Sequence, residues 1–358
     1  MRIAYSCAGE GFGHATRTAV IGPLLQESHD IVYFIPETVK GFTSSRIGDA
    51  QYERIPHFAF TKRGERVLLF ATVFRALPLA LAFPLVLVRL VRKLHSLRID
   101  AVISDFDPFL PCAARMLGIP VLQINHPGIV QRVLSIHPQA LLTSLATRIL
   151  EGPWNERMHV SFYGGDVGPI IRREVFARPI SDEGFVLLNL KPCFRPIVLP
   201  ILERMGIRYR LFPDPRADFL SALASCSCVL SSAGHQIIAE SIALNKPIMV
   251  IPQGGQWEQQ LNAQMVDRTG KGCSTTIDHL EANLPEFLVG LERYRSNILP
   301  ASFTVTDSSQ EIVRRIEDFL VKVRQKRYSN FFVAVAASAR MKDAPPGGLQ
   351  DSKAKKAV

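Results

Sequence analysis

No two of the six cysteines form a CxxC pair; they stand at positions 7, 112, 193, 226, 228 and 273. No second cluster is present to complete a zinc site, so the thiols read as buried or incidental groups in a reducing compartment. The N-terminus, MRIAYSCAGEG, lacks the long apolar stretch and the cleavage site of a signal peptide. It reads as a first β-strand, and the expected location is the cytoplasm. Acidic residues are in deficit, with 32 Asp plus Glu against 42 Lys plus Arg and a net charge of +10. Nine basic and two acidic side chains fall from Lys322 onward. Such a balance suits nucleic acid, an anionic membrane face or a phosphate-rich substrate. There is no nucleic-acid motif and no interleaving of Arg and Lys with aromatics, so nucleic acid is not an expected partner.

The most apolar window, residues 67–91, lacks the uncharged length of a membrane span. Arg75 and Arg89 leave 13 residues between them, short of the roughly 20 a span needs. Pro78 and Pro84 interrupt it further. Two readings stand: a buried helix of a first domain, or a monotopic patch on one leaflet. Lys62, Arg63, Arg66, Arg89, Arg92, Lys93 and Arg98 flank the window, and cations beside apolar surface suit an anionic lipid face.

What is present is a globular composition, 47% apolar and 21% charged over 358 residues, enough for two domains. Short apolar strands alternate with helical stretches: strands at 2–6, 31–35, 51–55, 101–104 and 121–124, with helices at about 14–27 and 108–117. The plan repeats with strands at 185–188, 208–211, 228–230 and 247–251 and helices at 196–205, 217–224, 233–244 and 257–268. This predicts an α/β protein of two Rossmann-like, doubly wound parallel-sheet domains facing across a cleft. The expected domains are 1–168 and 183–305, joined through the Gly- and Pro-bearing segment 167–183. A C-terminal helix at 306–327 and a disordered basic tail at 335–358 follow.

The chemistry concentrates where strands end. After the first strand, Gly9-Glu10-Gly11-Phe12-Gly13-His14 opens a helix. Gly11 and Gly13 let the backbone approach a ligand, and the helix start offers free N–H groups. The spacing departs from the GxGxxG dinucleotide fingerprint, with His14 where a small residue is expected. His14 is a candidate to take a proton from a hydroxyl or to donate to phosphate. Arg17, one turn on, contacts phosphate or caps solvent. Asp105 and Asp107 end a neighbouring strand; each either orients His14, binds an acceptor or caps the helix that follows. His126 ends the next strand and is placed on the acceptor side.

In the second half, Ser231-Ser232-Ala233-Gly234-His235-Gln236 leads from a strand into a helix, a ready site for a diphosphate. Glu240 lies about one and a half turns along, where its carboxylate can accept from two ribose hydroxyls. After Lys246-Pro247 and a buried strand ending at Pro252, Glu258 and Gln259 open another helix and can bind sugar hydroxyls. This ordered set, closing with Asn262-Ala263, resembles the C-terminal halves of GT-B glycosyltransferases. It looks like the plant and animal UDP-sugar transferases, the peptidoglycan N-acetylglucosaminyl transferase and their prokaryotic relatives. The loop Gly9 to His14 matches the N-terminal loop of the same group, and the resemblance spans nearly residues 1–325. Gln236-Ile237-Ile238 replaces the Thr or Asn-Ser common after the glycine, and Glu258 stands where Asp or Gln is common.

The resemblance implies a nucleotide-sugar donor with Gly234 and His235 at its diphosphate, Glu240 at its ribose, and Glu258 and Gln259 at its sugar. It implies inverting transfer to a hydroxyl acceptor, lipid or glycan, with His14, Asp105 or Asp107 as base. The DxD-like pair of Asp105 and Asp107 lies in the other half, away from the diphosphate, so neither a metal nor a cofactor is expected. Two alternatives remain: a nucleotide-sugar 2-epimerase on the same scaffold, and a non-catalytic nucleotide-sugar sensor.

Overall fold

A computed structural model describes residues 1–342 apart from 65, 134, 135 and 215. The strands are β1 (Arg2–Cys7), β2 (Asp30–Ile35), β3 (Gln51–Arg54), β4 (Lys62–Arg63), β5 (Arg66–Val67), β6 (Ala101–Asp105), β7 (Val121–Asn125), β8 (Glu156–His159), β9 (Val186–Asn189), β10 (Tyr209–Phe212), β11 (Cys228–Ser232), β12 (Ile248–Ile251) and β13 (Gly272–Ser274). They build one six-stranded sheet in the order β3-β2-β1-β6-β7-β8 and one five-stranded sheet in the order β10-β9-β11-β12-β13. Every neighbouring pair in both is parallel; β4 and β5 form a separate antiparallel ladder. This is the expected α/β architecture of two doubly wound sheets.

The sequence makes these strands by continuous apolar runs, because helices cover both faces of each sheet. Ile31 to Ile35, Ala101 to Ile103 and Ile248 to Ile251 are all buried. In the first half Ala4, Val32, Phe34 and Val102 pack against Phe109, Leu110, Leu90 and Leu94. In the second, Val186, Leu188, Leu230 and Met249 pack against Phe194, Val198, Leu202 and Phe287. Each fully buried Leu, Ile, Val or Phe stabilises by about 1.5–3 kcal/mol. Two elements of the sheets escape the sequence pattern. Glu156-Arg157-Met158-His159 is a polar strand at the edge, and Gly272 to Ser274 is only three residues long. The helix Pro138–Leu150 was likewise not expected.

Chain winding reverses direction at one strand in each sheet. β1 pairs with β2 on one side and β6 on the other, and Cys7 lies opposite Asp105. β9 pairs with β10 and β11, and Asn189 lies opposite Ser231. Ligands of such sheets bind outside the carboxyl ends at these reversals. Both sheets belong to one compact unit, Met1–Arg315.

The apolar window forms the helix Leu69–Ser96, with Pro78 and Pro84 inside it. Leu79, Phe83, Val86 and Leu87 lie partly buried against the first-half core, which Leu90 and Leu94 join. The buried-helix reading holds for that face only. Phe74, Leu77, Leu81, Leu85 and Val88 form an exposed row, with Leu81 and Leu85 74% and 76% exposed. Phe74–Ser96 is long and apolar enough to cross a bilayer by length and composition alone.

The second unit begins at Ile316 and consists, among the described residues, of the remainder of the helix Ser309–Lys342. That helix starts where Asp307 accepts from the backbone N–H and the hydroxyl of Ser309. It passes 327 and runs through the alanine-rich stretch around 334–339, which favours helix. The tail expected to be disordered from 335 is thus helical to Lys342, and 343–358 lie outside the described residues.

The edge of the second sheet leaves no room for a side chain at Gly272, where an added Cβ would sit 2.0 Å from the Ile248 carbonyl oxygen. That oxygen is backbone and cannot turn aside as a side chain could. Gly272→Ala is expected to cost about 1–3 kcal/mol, read as a lower denaturation midpoint; an unchanged midpoint contradicts this close packing.

Candidate functional site

The first half of the site grows from the helix Phe12–Gln26. Gly11 precedes it at φ 77, a left-handed conformation that admits glycine at no steric cost. His14 and Arg17 then sit one turn apart on the face toward β6. His14 Nδ1 lies 2.6 Å from Asp105 Oδ1. Arg17 donates from Nε to Asp105 Oδ2 at 2.6 Å and from its terminal nitrogen to Oδ1 at 3.0 Å. Asp105 is fully buried. Burial alone would raise its carboxyl; Arg17 and then His14 overcome this and hold it below the usual carboxylate range. With Asp105 accepting at Nδ1, a neutral His14 carries its proton there and presents Nε2 as the acceptor. The Phe106 ring lies parallel to the imidazole, 5.8 Å between centroids.

Asp107 is used differently. Its oxygens accept from the backbone N–H of Phe109 and Leu110 at 3.1 and 3.0 Å, so it starts the helix Phe109–Met116. It is 2% exposed, and burial pushes its carboxyl up to about 6. The structure therefore places Asp105 against His14 and gives Asp107 the capping position.

The second half of the site is the helix His235–Ala243 after β11. No side chain caps it, and its first N–H groups have no intrahelical acceptor. Gly234 begins it with its N–H turned back to the Ser232 carbonyl at 2.7 Å. His235 is nearly enclosed. Its ring stacks on His126 at 3.8 Å, and its Nε2 accepts from the Phe162 backbone N–H at 3.1 Å. That contact leaves the ring proton on Nδ1. His126 reaches Val160 O through Nδ1 and Asn262 Oδ1 through Nε2, at 3.2 and 3.1 Å. Tyr163 also donates to Asn262 Oδ1 at 2.7 Å. These contacts join residues that follow β7 and β8 to helices of the second half, inside one compact unit. Burial, then Arg17, brings His126 down to about 3; burial, then His126 and Arg17, holds His235 well below the ordinary histidine range.

Glu258, with about a third of its side chain exposed, lies 3.7 Å from His126 Nε2. Partial burial raises its carboxyl, opposed by His14, Lys191 and Arg17. The remaining expected donor contacts are engaged within the protein. Glu240 is buried and held bidentately by Arg172, both contacts at 2.7 Å, with Gln236 donating to it at 2.9 Å. Gln259 accepts from the Gln253 N–H at 2.9 Å and donates to Gln256 at 2.6 Å, which closes the turn 253–259. The structure thus gathers His14, Arg17, Asp105, His126, His235 and Glu258 within mutual electrostatic reach. Lys191, Arg172, Tyr163 and Gln253 join this setting without having been singled out. Lys191 lies two residues beyond β9, so the strand-end rule that picked Asp105 would have found it.

The profile of the family described as "Glycosyl transferase family 1" matches residues 1–148 and 203–292, more than half of the chain. An uncharacterized glycosyltransferase of Methanosarcina acetivorans is 22% identical over 329 residues, which cover 76% of this chain and 85% of that protein. A stretch of 116 residues is 35% identical to the UDP-N-acetylglucosamine--N-acetylmuramyl-(pentapeptide) pyrophosphoryl-undecaprenol N-acetylglucosamine transferase of Clostridioides difficile, covering 32% of this chain and 22% of that protein. Among solved structures, MurG of Acinetobacter baumannii matches over 88% of this chain and 99% of its own, with a TM-score of 0.55 and 15% identity. That likeness speaks for the fold, two α/β domains of GT-B type.

The stacked histidines set an acid limit. A depressed folded pKa means the unfolded chain binds protons that the folded one refuses below about pH 6.5. Stability is therefore full above that value and falls as pH drops toward the folded value of about 3 for His126. The fall is at most about 1.4 kcal/mol per pH unit per histidine. His126→Gln is expected to be less stable at pH 7 yet to show a shallower decline between pH 6 and 4 by thermal melting. An equally steep decline contradicts the assignment.

Proposed function

The chain belongs to glycosyl transferase family 1 and is a GT-B glycosyltransferase, and we propose that it moves a sugar from a UDP-sugar to a hydroxyl of a lipid-linked or polysaccharide acceptor, with inversion and without a metal ion. The observation that carries this reading is the 2.6 Å contact of His14 with buried Asp105 at one strand-end reversal, with the uncapped helix start at His235 at the other. His14 Nε2 accepts the acceptor's proton as its oxygen forms the new bond to the anomeric carbon. The bond from that carbon to the diphosphate oxygen breaks, and the electron pair leaves with the diphosphate. Backbone N–H groups at residues 235–237 and the helix dipole stabilise the growing negative charge. Asp105 positions His14 and stabilises the imidazolium formed, and Arg17 keeps Asp105 ionised.

On this reading Glu240, buried and held by Arg172 and Gln236, orders the helix that lines the ribose site. Glu258 accepts from sugar hydroxyls, and Gln259 supports it by fixing the turn. General-base catalysis contributes about 10²–10⁴-fold. His14→Ala is expected to lose that much in kcat for glycoside formation from labelled donor, with donor affinity nearly unchanged. Transfer at the wild-type rate sinks the assignment, and release of an epimerised sugar nucleotide in place of glycoside favours the epimerase.

We further propose that the enzyme works on the cytoplasmic face of an anionic membrane, peripherally. The row Phe74, Leu77, Leu81, Leu85 and Val88 recurs at three- and four-residue steps, one face of a helix. Arg75, Arg89 and Arg92 are exposed on the same helix, and a basic, apolar face binds anionic bilayers. A second exposed row, Leu141, Leu142, Leu145 and Ile149, lies in the same half of the chain. The protein is expected to float with vesicles containing anionic lipid and less with neutral ones, and Leu81→Asp with Leu85→Asp should abolish flotation. Flotation indifferent to both changes contradicts the proposal.

A further inference from the structure

Strand β6 ends at Asp105, and the next residue breaks the pattern of the strand. Successive side chains of a strand point to opposite faces, so Phe106 in extended backbone would turn away from the groups that Asp105 meets. Instead Phe106 takes φ 60, a left-handed conformation that is unfavourable for a residue with a bulky side chain. Its ring then stacks on the same imidazole that Asp105 holds, parallel within 8° and 5.8 Å between centroids. The turn is held from both sides. Gln123, fully buried on the neighbouring strand β7, accepts from the Phe106 backbone N–H through Oε1 at 3.0 Å, and its amide nitrogen donates to the Glu151 carbonyl. Asp107, one residue on, is bound to the helix it caps, and its carbonyl accepts from the Ser104 hydroxyl at 3.0 Å. Backbone strain that the surroundings enforce from several directions clusters where function uses it.

We propose that Phe106 is a positioning residue for the base: it fixes the plane of the His14 ring, as Asp105 fixes its tautomer and the place of Nδ1. This rests on the reading of His14 as the base. A hydrogen bond at Nδ1 holds one edge of the imidazole and leaves the ring free to tilt about that edge, which moves Nε2 out of line with the acceptor hydroxyl. Arg17 does not supply the missing restraint, because its terminal nitrogen approaches the same edge, 3.3 Å from Nδ1. A parallel aromatic ring resists the tilt, and such pairs attract each other beyond the area they bury. A phenyl group carries no hydrogen-bonding atom, so it restrains the imidazole without competing for the Nε2 lone pair. Two neighbours in sequence thus give one imidazole an edge contact and a stacked ring, and the left-handed turn at 106 is what lets both reach it.

The test measures transfer from labelled donor by single and double variants of the full chain. Phe106→Leu stays apolar and loses the flat ring; kcat is expected to fall roughly 10- to 100-fold, as for a slightly misplaced catalytic group, with donor KM within about twofold. Phe106→Tyr should keep most of kcat. Phe106→Gly should lose kcat as Phe106→Leu does yet melt no lower than Phe106→Leu, because glycine adopts left-handed backbone freely. In a His14→Ala background, Phe106→Leu should change the residual rate by less than about twofold, since no base is left to position. Phe106→Leu turning over as wild type does, while His14→Ala is slow, overturns the positioning role and leaves the base standing. An equal loss from Phe106→Leu in both backgrounds also overturns it. His14→Ala transferring at the wild-type rate overturns both.

Discussion

A carboxylate sealed from water must be answered by cations, and the rest of the site depends on how Asp105 meets that demand. Its oxygens face Arg17 and His14, both from the first helix. Removing one partner of such a buried set costs about 3–5 kcal/mol, which fixes the helix against β6 more firmly than apolar packing alone would. The same ion pair selects the tautomer of His14. The imidazole is therefore oriented by the group that holds the helix down, and a change in one cannot be made without the other.

Arg17 has a second effect. Its positive field reaches His126 and His235 and lowers both. Rings stacked at 3.8 Å cannot both be charged, because like charges at that distance in a dry interior repel strongly. Neutrality is what allows them to stack, and the stack joins the two halves of the chain. Tyr163 and Asn262 complete the junction with neutral hydrogen bonds, the kind that tolerates burial. Arg17 thus keeps Asp105 ionised on one side and adds to the burial that keeps two imidazoles neutral on the other.

Much of this was legible in the sequence. Apolar runs of four to six residues separated by helical stretches gave the two sheets, because strands buried on both faces must be apolar throughout. Strand ends marked His14, Asp105, His126 and Gly234 for the same topological reason. What was hidden is what side chains do to each other. Asp105 and Asp107 share a spacing and differ only in neighbours: one meets Arg17 and His14, the other two backbone N–H groups. Glu240 read as a free carboxylate because Arg172 lies 68 residues away. β8 was missed because Glu156 and Arg157 give an edge strand no apolar signature. The apolar window was half legible, since composition cannot show that one face of the helix meets a core and the other meets nothing.

The placement of these features separates two kinds of work. On the proposed reading, the base His14 and the exposed apolar rows belong to the same half of the chain. On the same reading, the half that carries the uncapped helix at His235 offers backbone donors to an anionic leaving group. An acceptor anchored in a membrane, as proposed, has its hydroxyl confined near one plane, and a base on the half proposed to dock there meets it without a search through solution. A nucleotide sugar has no such confinement and must be captured from water, which favours a site of charged and hydrogen-bonding groups over an apolar one.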